Sequence, residues 1–547
     1  MRQAPTPVAA QLGLIAATAI LYLVLAQPNH PAALAWDMLL VFPLELPVIV
    51  LGLALLRPGR AGQAVRALLV AALTLLAALK AADFAMFSAL ARGFNPVGDF
   101  PLIVSAWQLA SAAVGPWMAA LAVAGAVAAL ALIVALLWWA TGIWLRLRPP
   151  GSARLAALPA LAVAAALAVA QIGMAQGRWE AADLPVAPPG AAFTARYAVE
   201  RVALVRDTWA DLRAFRAAAR DDPQAERPGA FAALDTDLLV IFVESYGRAS
   251  HDGSPHADRH RDTLRAAEAA LRDASFAMRS GFVTSPTRGG QSWLAHITTA
   301  TGLWANDQSR YLAALASGRQ GLFHIAQDAG LHTAAVMPAI TLDWPEALRM
   351  GFDTVLAAAD MGYEGLPFNW VTMPDQFTLT VVDRLRDATQ GTLVAQVALI
   401  SSHAPWVPVP EMVPWDAVGD GRVFDAMAQN GDPPEVVWRD TDRVRAQYRA
   451  AIDYSLRVTF DWAARQAGPD APLLIVLGDH QAAGFVAQDD RADVPVHVIG
   501  PPDLVSRFDG WGWHDGMLPP MGAPVNGMDT LRDRILHALG PNERAGR

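Results

Sequence analysis

Hydrophobic residues are concentrated in the first 175 residues of this 547-residue chain. Five apolar stretches there are each long enough to cross a bilayer, which takes about 20 residues. After residue 176 short apolar runs alternate with helical patterns, as in an ordinary globular protein. The pattern predicts a five-span membrane domain followed by a folded globular part. The predicted spans are 8–26, 34–56, 67–90, 114–144 and 155–175.

Arginines fall on one side of these spans. Because cytoplasmic loops of membrane proteins carry an excess of Lys and Arg, we expect the N-terminus to be cytoplasmic. Five crossings then place everything after residue 175 outside the cytoplasm. The short loops on the outer side contain only Arg92. The arginines on the predicted cytoplasmic side are Arg2, Arg57, Arg60, Arg66, Arg146, Arg148 and Arg154.

Three charged residues interrupt the apolar spans: Glu45, Lys80 and Asp83. Charges at that depth are costly and are usually paired or functional. One interpretation is an ion pair that holds the second and third spans together. The other is a polar pocket for a lipid headgroup or carrier.

A linker at 177–235 follows the membrane domain. It begins with a Pro/Gly-rich stretch, and the pattern predicts a basic amphipathic helix near 193–220. Such a helix beside a membrane commonly lies on the lipid surface; a solvated linker helix is the alternative. Its arginines are Arg196, Arg201, Arg206, Arg213, Arg216 and Arg220.

The region 236–547 alternates strand-like and helix-like segments. That order predicts a doubly wound, mostly parallel α/β sheet covered on both faces. The predicted strands are 238–243, 276–283, 333–337, 393–400, 473–477 and 494–499, and the predicted helices are 261–272, 292–301, 322–329, 443–466 and 528–539.

Two of these strands end on residues suited to bind a metal. Glu244 follows one apolar strand, and Asp479 and His480 follow another. In open α/β sheets, ligands bind at the carboxyl ends of the strands. An acid at a strand end can instead cap the next helix. Two such ends together with a histidine favour a metal site.

Ser292 is the candidate nucleophile. It follows Gly289 and Gly290 and begins a helical pattern. A hydroxyl at a helix N-terminus faces free N–H groups that suit a phosphate or sulfate ester, and a nearby divalent cation would lower its pKa. The alternative is that Ser292 only caps the helix. Arg288 is a candidate clamp for the phosphate.

Composition narrows the chemistry. The chain has no cysteine, which excludes disulfides and thiolate metal sites. Its net charge is −9 without a long basic run, so nucleic-acid binding has little support. The histidines His251, His256 and His260 lie in a polar stretch, and we expect them to be in a solvated loop rather than on a metal.

The ordered motifs resemble those of the alkaline phosphatase/sulfatase superfamily. With the preceding spans, the chain looks most like its membrane-anchored branch, the lipoteichoic acid synthases and periplasmic phosphoglycerol transferases; lipid A phosphoethanolamine transferases are similar but more distant. The motifs that carry the resemblance are Val243-Glu-Ser245, Ser292 before a helix ending in Thr301-Gly-Leu303, Ser401-Ser-His-Ala-Pro405 and Gly478-Asp-His480.

The resemblance implies a role for each matching position. Glu244, Asp479 and His480 would bind one divalent cation, with Mn²⁺ first and Mg²⁺ or Zn²⁺ as alternatives. Ser292, where the transferases usually have threonine, would be both ligand and covalent nucleophile. His403 would act on the substrate side and Trp344 would line the headgroup pocket. The family's histidine just before this tryptophan is missing from 336–340.

Thr284 is the second candidate nucleophile, because the segment 284–288 is similar to the formylglycine sulfatase signature with threonine at the key position. In the family the nucleophile precedes the glycine of the helix-ending Thr-Gly by ten residues, a spacing that Ser292 satisfies to Gly302 and Thr284 does not. The sequence therefore favours Ser292.

The resemblance implies transfer of a phospholipid headgroup, phosphoglycerol first, to an envelope glycan. The donor would be a membrane phospholipid and the acceptor a glycan or lipid. The alternatives are a phosphoethanolamine transferase and a sulfatase or phosphodiesterase. The implied location is the bacterial inner membrane, with the globular domain in the periplasm.

Overall fold

The computed structural model describes residues 7–36, 40–90, 92–100, 103, 107, 111, 115–180, 184–224, 228–252, 255–342 and 344–541. The chain divides into two compact units, Met1–Asp211 and Leu212–Arg547. The boundary falls in the helix Phe193–Arg220, called here the linker helix, at the position where the sequence predicts one.

Four helices of the first unit are long and apolar enough to cross a membrane: Pro7–Ala26, Arg60–Leu90, Pro116–Arg146 and Gly151–Ala175. The second predicted span, 34–56, is shorter than predicted. It contains an 11-residue apolar helix, Glu45–Leu55, about 16 Å long. Pro43 stands just before it, and proline cannot donate the helical hydrogen bond. Residues 37–39 lie outside the described part of the chain.

Contacts between these helices bring the arginine-rich helix ends together. Arg66, near the start of one helix, donates to Thr141 near the end of another at 3.2 Å. Arg154 donates to the Leu55 carbonyl at 2.8 Å. Arg66 and Arg154, both predicted to face the cytoplasm, therefore lie where helix ends meet, whereas Arg2 lies outside the described residues. Which side of the membrane this is stays a prediction.

The buried charges of this unit bind the start of the linker helix. Lys80 Nζ donates to the Leu25 carbonyl at 3.0 Å and to Thr194 Oγ1 at 2.8 Å. Glu45 Oε1 accepts from the Ala195 amide at 2.8 Å. Each charge thus has a partner outside the two spans that carry Glu45 and Lys80.

Asp83 completes this cluster. Its Oδ1 accepts from the Phe94 amide at 2.8 Å and lies 3.3 Å from Arg201 Nη1, and its Oδ2 accepts from Asn29 at 3.2 Å. The predicted ion pair between the second and third spans is therefore replaced by hydrogen bonds to the linker helix and to neighbouring loops.

A nine-stranded sheet organises the second unit, in the order β4-β3-β5-β1-β6-β7-β2-β8, with β9 paired to β2. It is mostly parallel; β7 runs antiparallel to β6 and β2, and β8 antiparallel to β2. The strands are β1 Leu238–Val243, β2 Ala277–Thr284, β3 His332–Met337, β4 Thr354–Ala357, β5 Leu393–Leu399, β6 Leu473–Gly478, β7 Asp493–Gly500, β8 His514–Asp515 and β9 Val525–Gly527.

Helices cover both faces of the sheet. Alternate residues of β1 enter two hydrophobic cores: Phe242 lies in one and Val243 in the other. This is the arrangement expected for strands that are apolar on both faces. The helices are Ala257–Asp273, Ser292–Thr301, Gln308–Ala316, Leu322–Asp328, Asp375–Ala388, Asp425–Ala428, Pro434–Val437, Thr441–Arg465, Gly484–Ala487, Pro502–Ser506 and Leu531–Leu539.

Candidate metal centre and nucleophile

Strand register places the two acidic strand ends side by side. β1 and β6 are parallel neighbours, and Val243 pairs with Gly478. The next residues, Glu244 and Asp479, therefore leave the sheet together at its carboxyl edge. Gly478 is required here, since a Cβ on it would lie 1.8 Å from the Tyr246 carbonyl oxygen.

Ser292 is the first residue of the helix Ser292–Thr301. The cap position belongs to Gln291, which has a left-handed φ of 67°. Ser292 Oγ donates instead to Glu244 Oε2 at 3.0 Å. The hydroxyl thus faces the strand-end carboxylate, and the position that would cap the helix is taken by its neighbour.

Glu244, Asp479 and His480 form one buried cluster. One ligand atom from each lies within 4.8 Å of the other two. His480 Nε2 is 3.2 Å from Glu244 Oε1 and 3.9 Å from Asp479 Oδ2. Ligand atoms about 2.1 Å from a tetrahedral cation lie about 3.4 Å apart. The cluster therefore has the spacing of a metal site.

The imidazole of His480 is oriented for coordination. Its Nδ1 lies 3.1 Å from the Gln481 carbonyl, which requires a proton on Nδ1. Nε2 is buried and has no hydrogen bond of good geometry, although Glu244 is close. A buried ring nitrogen that faces two carboxylates fits a divalent cation between them.

Charge repulsion within this cluster is strong. Burial and the neighbouring Glu244 charge raise the pKa of Asp479 to about 8. Burial alone would lower the pKa of His480, but Asp479 and Glu244 outweigh it and raise that pKa to about 9. Burial likewise raises the pKa of Glu244, yet His480 and then His403 hold it well below its usual range. The three groups are therefore electrostatically linked, and a cation bound between them would favour two ionised carboxylates and a neutral imidazole.

His403 lies on an exposed turn beside this cluster. Its Nδ1 is 2.5 Å from the Ala404 carbonyl oxygen, so Nε2 is left for other partners. The neighbouring Ser402 donates to the Glu244 carbonyl oxygen at 2.6 Å. This hydrogen bond ties the turn to the end of β1.

Asp375 supports the same turn from below, a role that no sequence pattern indicated. Its buried Oδ1 accepts from the amides of Ile400 and Ser401, both at 2.8 Å. Ser455 donates to Oδ2 at 2.6 Å. An acid that follows a proline at a helix start is ordinary, so only the contacts identify Asp375 as a support of the turn.

Three other candidates have partners outside the cluster. Thr284 Oγ1 donates to Asp493 Oδ1 at 3.0 Å. Arg288 Nη1 donates to the Asp490 carbonyl. Trp344 packs against Phe352, with ring centroids 6.2 Å apart. The structure brings none of these three described residues into hydrogen-bond contact with Ser292.

The expectation that His251, His256 and His260 lie in a solvated loop is wrong. All three are buried. His251 lies 2.8 Å from the Tyr246 hydroxyl, His256 Nε2 3.0 Å from the Val486 carbonyl oxygen and His260 Nε2 2.9 Å from that of Arg449. A polar stretch can pack inward when backbone carbonyls satisfy its imidazoles.

The cluster of Glu244, Asp479 and His480 does not coincide with a cavity of about 620 Å³ in this part of the chain. That cavity is lined by residues that precede the strands, such as Asp237, Thr392 and Asp470. It therefore lies at the opposite edge of the sheet. The chemistry of the side chains, and not the size of a cavity, identifies the carboxyl edge as the candidate centre.

Comparison with known proteins gives similarity of structure alone. No family model and no curated protein matches the chain. Lipooligosaccharide phosphoethanolamine transferase A from Neisseria meningitidis is 15% identical, with 96% of this chain and 95% of that chain covered and a TM-score of 0.48.

Two further solved structures are similar over about three fifths of the chain. The lipoteichoic acid synthase LtaP from Listeria monocytogenes is 13% identical, covers 61% of this chain and 78% of its own, and has a TM-score of 0.37. The Streptococcus pyogenes phosphoglycerol transferase GacH is 11% identical, covers 60% and 90%, and has a TM-score of 0.36. Identities and TM-scores this low do not identify a substrate. The function is therefore inferred from the residues of the site.

Proposed function

We propose that the protein is a membrane-bound transferase that moves a phospholipid headgroup, phosphoglycerol first, onto an envelope glycan through a phosphoserine diester on Ser292. One observation carries the proposal: Ser292 Oγ lies 3.0 Å from Glu244 Oε2, beside the buried Asp479–His480 pair. A hydroxyl among metal-type ligands at a helix N-terminus suits attack on a phosphodiester.

Glu244, Ser292, Asp479 and His480 would hold the divalent cation, which when bound lowers the pKa of the serine hydroxyl and offsets charge on the phosphoryl group. Mn²⁺ is our first choice, and Mg²⁺ and Zn²⁺ are the alternatives. The amides of the first turn of the helix Ser292–Thr301 bind the phosphoryl oxygens. Glu244 orients the hydroxyl for in-line attack.

Two displacements complete the reaction. In the first, Ser292 Oγ, which has lost its proton to water, forms a bond to phosphorus as the bond to the diacylglycerol oxygen breaks, and His403 gives that oxygen a proton. In the second, an acceptor hydroxyl gives its proton to His403 and bonds to phosphorus, which releases Ser292. A group that donates and then accepts one proton needs to sit beside the cluster, as the turn of His403 does.

A labelling experiment tests this proposal. Purified full-length protein is incubated with phosphatidylglycerol labelled in its headgroup and with Mn²⁺. Wild type is expected to release diacylglycerol and to carry label on the peptide that contains Ser292. Ser292→Ala should reduce release more than about a thousandfold, whereas Thr284→Val, which removes the second candidate hydroxyl, should retain it.

The mass added to the Ser292 peptide identifies the headgroup. An ethanolamine phosphate adduct would replace phosphoglycerol with phosphoethanolamine as the transferred group. Release of headgroup to water without transfer would favour a hydrolase. Label on Thr284 in place of Ser292, or no turnover with Mn²⁺, Mg²⁺ or Zn²⁺, would contradict the proposal.

We further propose that the second unit lies outside the cytoplasm, at the bacterial inner membrane. Arg66 and Arg154 at one end of the helices support a cytoplasmic location for that end. Cysteine labelling from either side of the membrane tests it, with Arg148→Cys in one variant and Glu435→Cys in another, both at exposed positions. Only the second variant should react from outside.

A further inference from the structure

Three aromatic side chains, Trp406, Trp438 and Phe485, form a ledge in the second unit. The rings of Trp406 and Trp438 stack with centroids 5.7 Å apart and planes 3° apart, and Phe485 follows Trp438 at 6.2 Å. Trp406 is buried, but Trp438 is 43% and Phe485 49% exposed. Exposure of two large adjacent rings to water is unfavourable, and a ligand that covers the rings would remove this cost.

Hydrogen bonds tie this aromatic ledge to the candidate centre. Trp438 Nε1 donates to the Pro405 carbonyl at 3.2 Å, and Trp406 Nε1 donates to the Ser402 carbonyl at 2.7 Å. Ser402 in turn donates to the Glu244 carbonyl at 2.6 Å. The ledge is therefore anchored to the turn that carries the acid–base histidine.

A cavity of about 360 Å³ is lined by the chain neighbours of two ledge residues. Val407, next to Trp406, and Val437, next to Trp438, both line it. Its lining combines an apolar floor with amides and charges, which include Met427, Asn430, Asp432, Arg443 and Gln447. Arg443 is fixed by Asp432 at 2.6 Å.

We propose that the ledge and this cavity bind a sugar ring of the acceptor glycan, an inference that rests on the proposed transferase function. The C–H face of a pyranose covers exposed aromatic rings, while its hydroxyls need donors and acceptors such as the amides of Asn430 and Gln447. A mixed apolar and polar lining is the usual composition of a small-molecule site.

The surroundings favour a sugar over a lipid acyl chain. Arg445 donates to the Phe485 carbonyl at 2.9 Å and pairs with Asp442 at 2.9 Å. An acyl chain or a bilayer would have to desolvate these charges, which is costly. Sugar hydroxyls can instead replace the water around them.

The position also suits the chemistry. A sugar stacked on Trp438 would have its hydroxyl beside His403, on the same anchored turn. That hydroxyl loses its proton to His403 as its oxygen bonds to phosphorus and the bond from phosphorus to Ser292 Oγ breaks. The ledge would thus select the acceptor, while the metal ligands act on the donor.

Direct binding tests the proposal apart from turnover. Full-length Ser292→Ala protein is titrated with laminaritriose, sophorose and chitotriose and followed by saturation-transfer NMR. At least one oligosaccharide is expected to bind, and adding Trp438→Ala should weaken it at least tenfold. Trp438→Phe, which keeps a ring, should restore most of the binding. Leu348→Ala, at a position 78% exposed, is the control and should leave it unchanged.

The outcomes separate this proposal from the function on which it rests. Saccharide binding that is equal with and without Trp438→Ala, or absent for all three sugars, overturns the glycan site. Weaker binding of Trp438→Ala to phosphatidylglycerol vesicles with unchanged sugar binding also overturns it and assigns the ledge to lipid. Tryptophan-dependent sugar binding in a protein whose Ser292 is never labelled overturns the transferase and leaves the glycan site standing.

Discussion

The first unit, called here the helical unit, and the second, called the sheet unit, each bury a cluster of charged residues. The two clusters are built differently. In the helical unit Glu45, Lys80 and Asp83 each have a backbone partner, in Ala195, Leu25 and Phe94 respectively. In the sheet unit two carboxylates and an imidazole face one another, with one ligand atom of each within 4.8 Å of the others.

The difference separates a structural cluster from a chemical one. Hydrogen bonds to backbone offset much of the cost of burying a charge, so the first cluster can serve to hold the linker helix. Like charges pressed together are unfavourable until something binds between them. Both clusters are buried, so burial does not distinguish them. The difference lies in the groups that each charged side chain contacts.

The largest expected effect is a loss of activity when the turn beside the sheet cluster is changed. We expect His403→Asn to reduce diacylglycerol release about 10²–10⁴-fold because the leaving oxygen loses its proton donor. Release from labelled phosphatidylglycerol with Mn²⁺ measures it. His514→Asn, at an exposed histidine, is the control. Equal rates for the two variants would remove His403 from the chemistry.

Cation binding should stabilise the protein only through the sheet cluster. A cation at 100 times its Kd adds about 2.7 kcal/mol to the unfolding free energy. Thermal unfolding with Mn²⁺ or with EDTA measures this gain. Asp479→Asn should abolish it and Glu45→Gln should keep it. A gain that survives Asp479→Asn would place the cation elsewhere.

Loss of a structural partner should destabilise the helical unit. Lys80→Met leaves the Leu25 carbonyl and Thr194 without their ammonium partner, and we expect a loss of about 2–3 kcal/mol. Unfolding of the full-length protein in mixed detergent micelles measures it. Leu75→Ala, at a 60% exposed position on the same helix, should change stability little. A loss no greater than that of the control would show that the cluster does not support the fold.

Low pH should destabilise the sheet unit through His497, a buried histidine outside the metal-type cluster. Burial lowers the pKa of His497 to about 3, while an unfolded histidine titrates near 6.5. The unfolded state therefore binds more protons between these values, and stability falls as pH drops below about 6.5. We expect His497 to contribute about 1.5 kcal/mol to the loss between pH 6.5 and pH 5. Other buried histidines such as His260 and His296, whose pKa burial lowers to about 4, add to it.

Urea unfolding of the full-length protein across this pH range checks it. His497→Gln keeps partners for Ser280 and Tyr246, which contact the imidazole at 2.7 and 3.0 Å, and should reduce the pH dependence of stability by this contribution. His514→Gln, the exposed control, should leave the pH dependence unchanged. An unchanged slope in His497→Gln would assign the acid sensitivity to other groups.

Much of the sheet could be predicted from apolar runs. The strands β1, β2, β3, β5, β6 and β7 lie within a residue of their predicted bounds, because strands that are covered on both faces are rich in apolar residues. Short edge strands such as β4 lack that signal. The direction of β7 could not be predicted, since periodicity does not report which way a strand runs.

The helical unit shows the same limit. Composition predicted five spans, of which four are long helices, whereas the second contains only the short helix Glu45–Leu55. The sequence marked Lys80 and Asp83 as unusual, yet it could not show that Thr194 and Arg201 contact them. Those partners are more than 100 positions away along the chain.

By itself the sequence determined which residues have the means for chemistry: acids and a histidine at strand ends, and a serine at a helix start. Local patterns suffice for this because strand ends and helix starts depend on neighbouring residues. The tertiary structure alone decided that Val243 pairs with Gly478 and that Trp406 stacks on Trp438. Register and packing join distant segments, and their free energy depends on contacts that no local pattern contains.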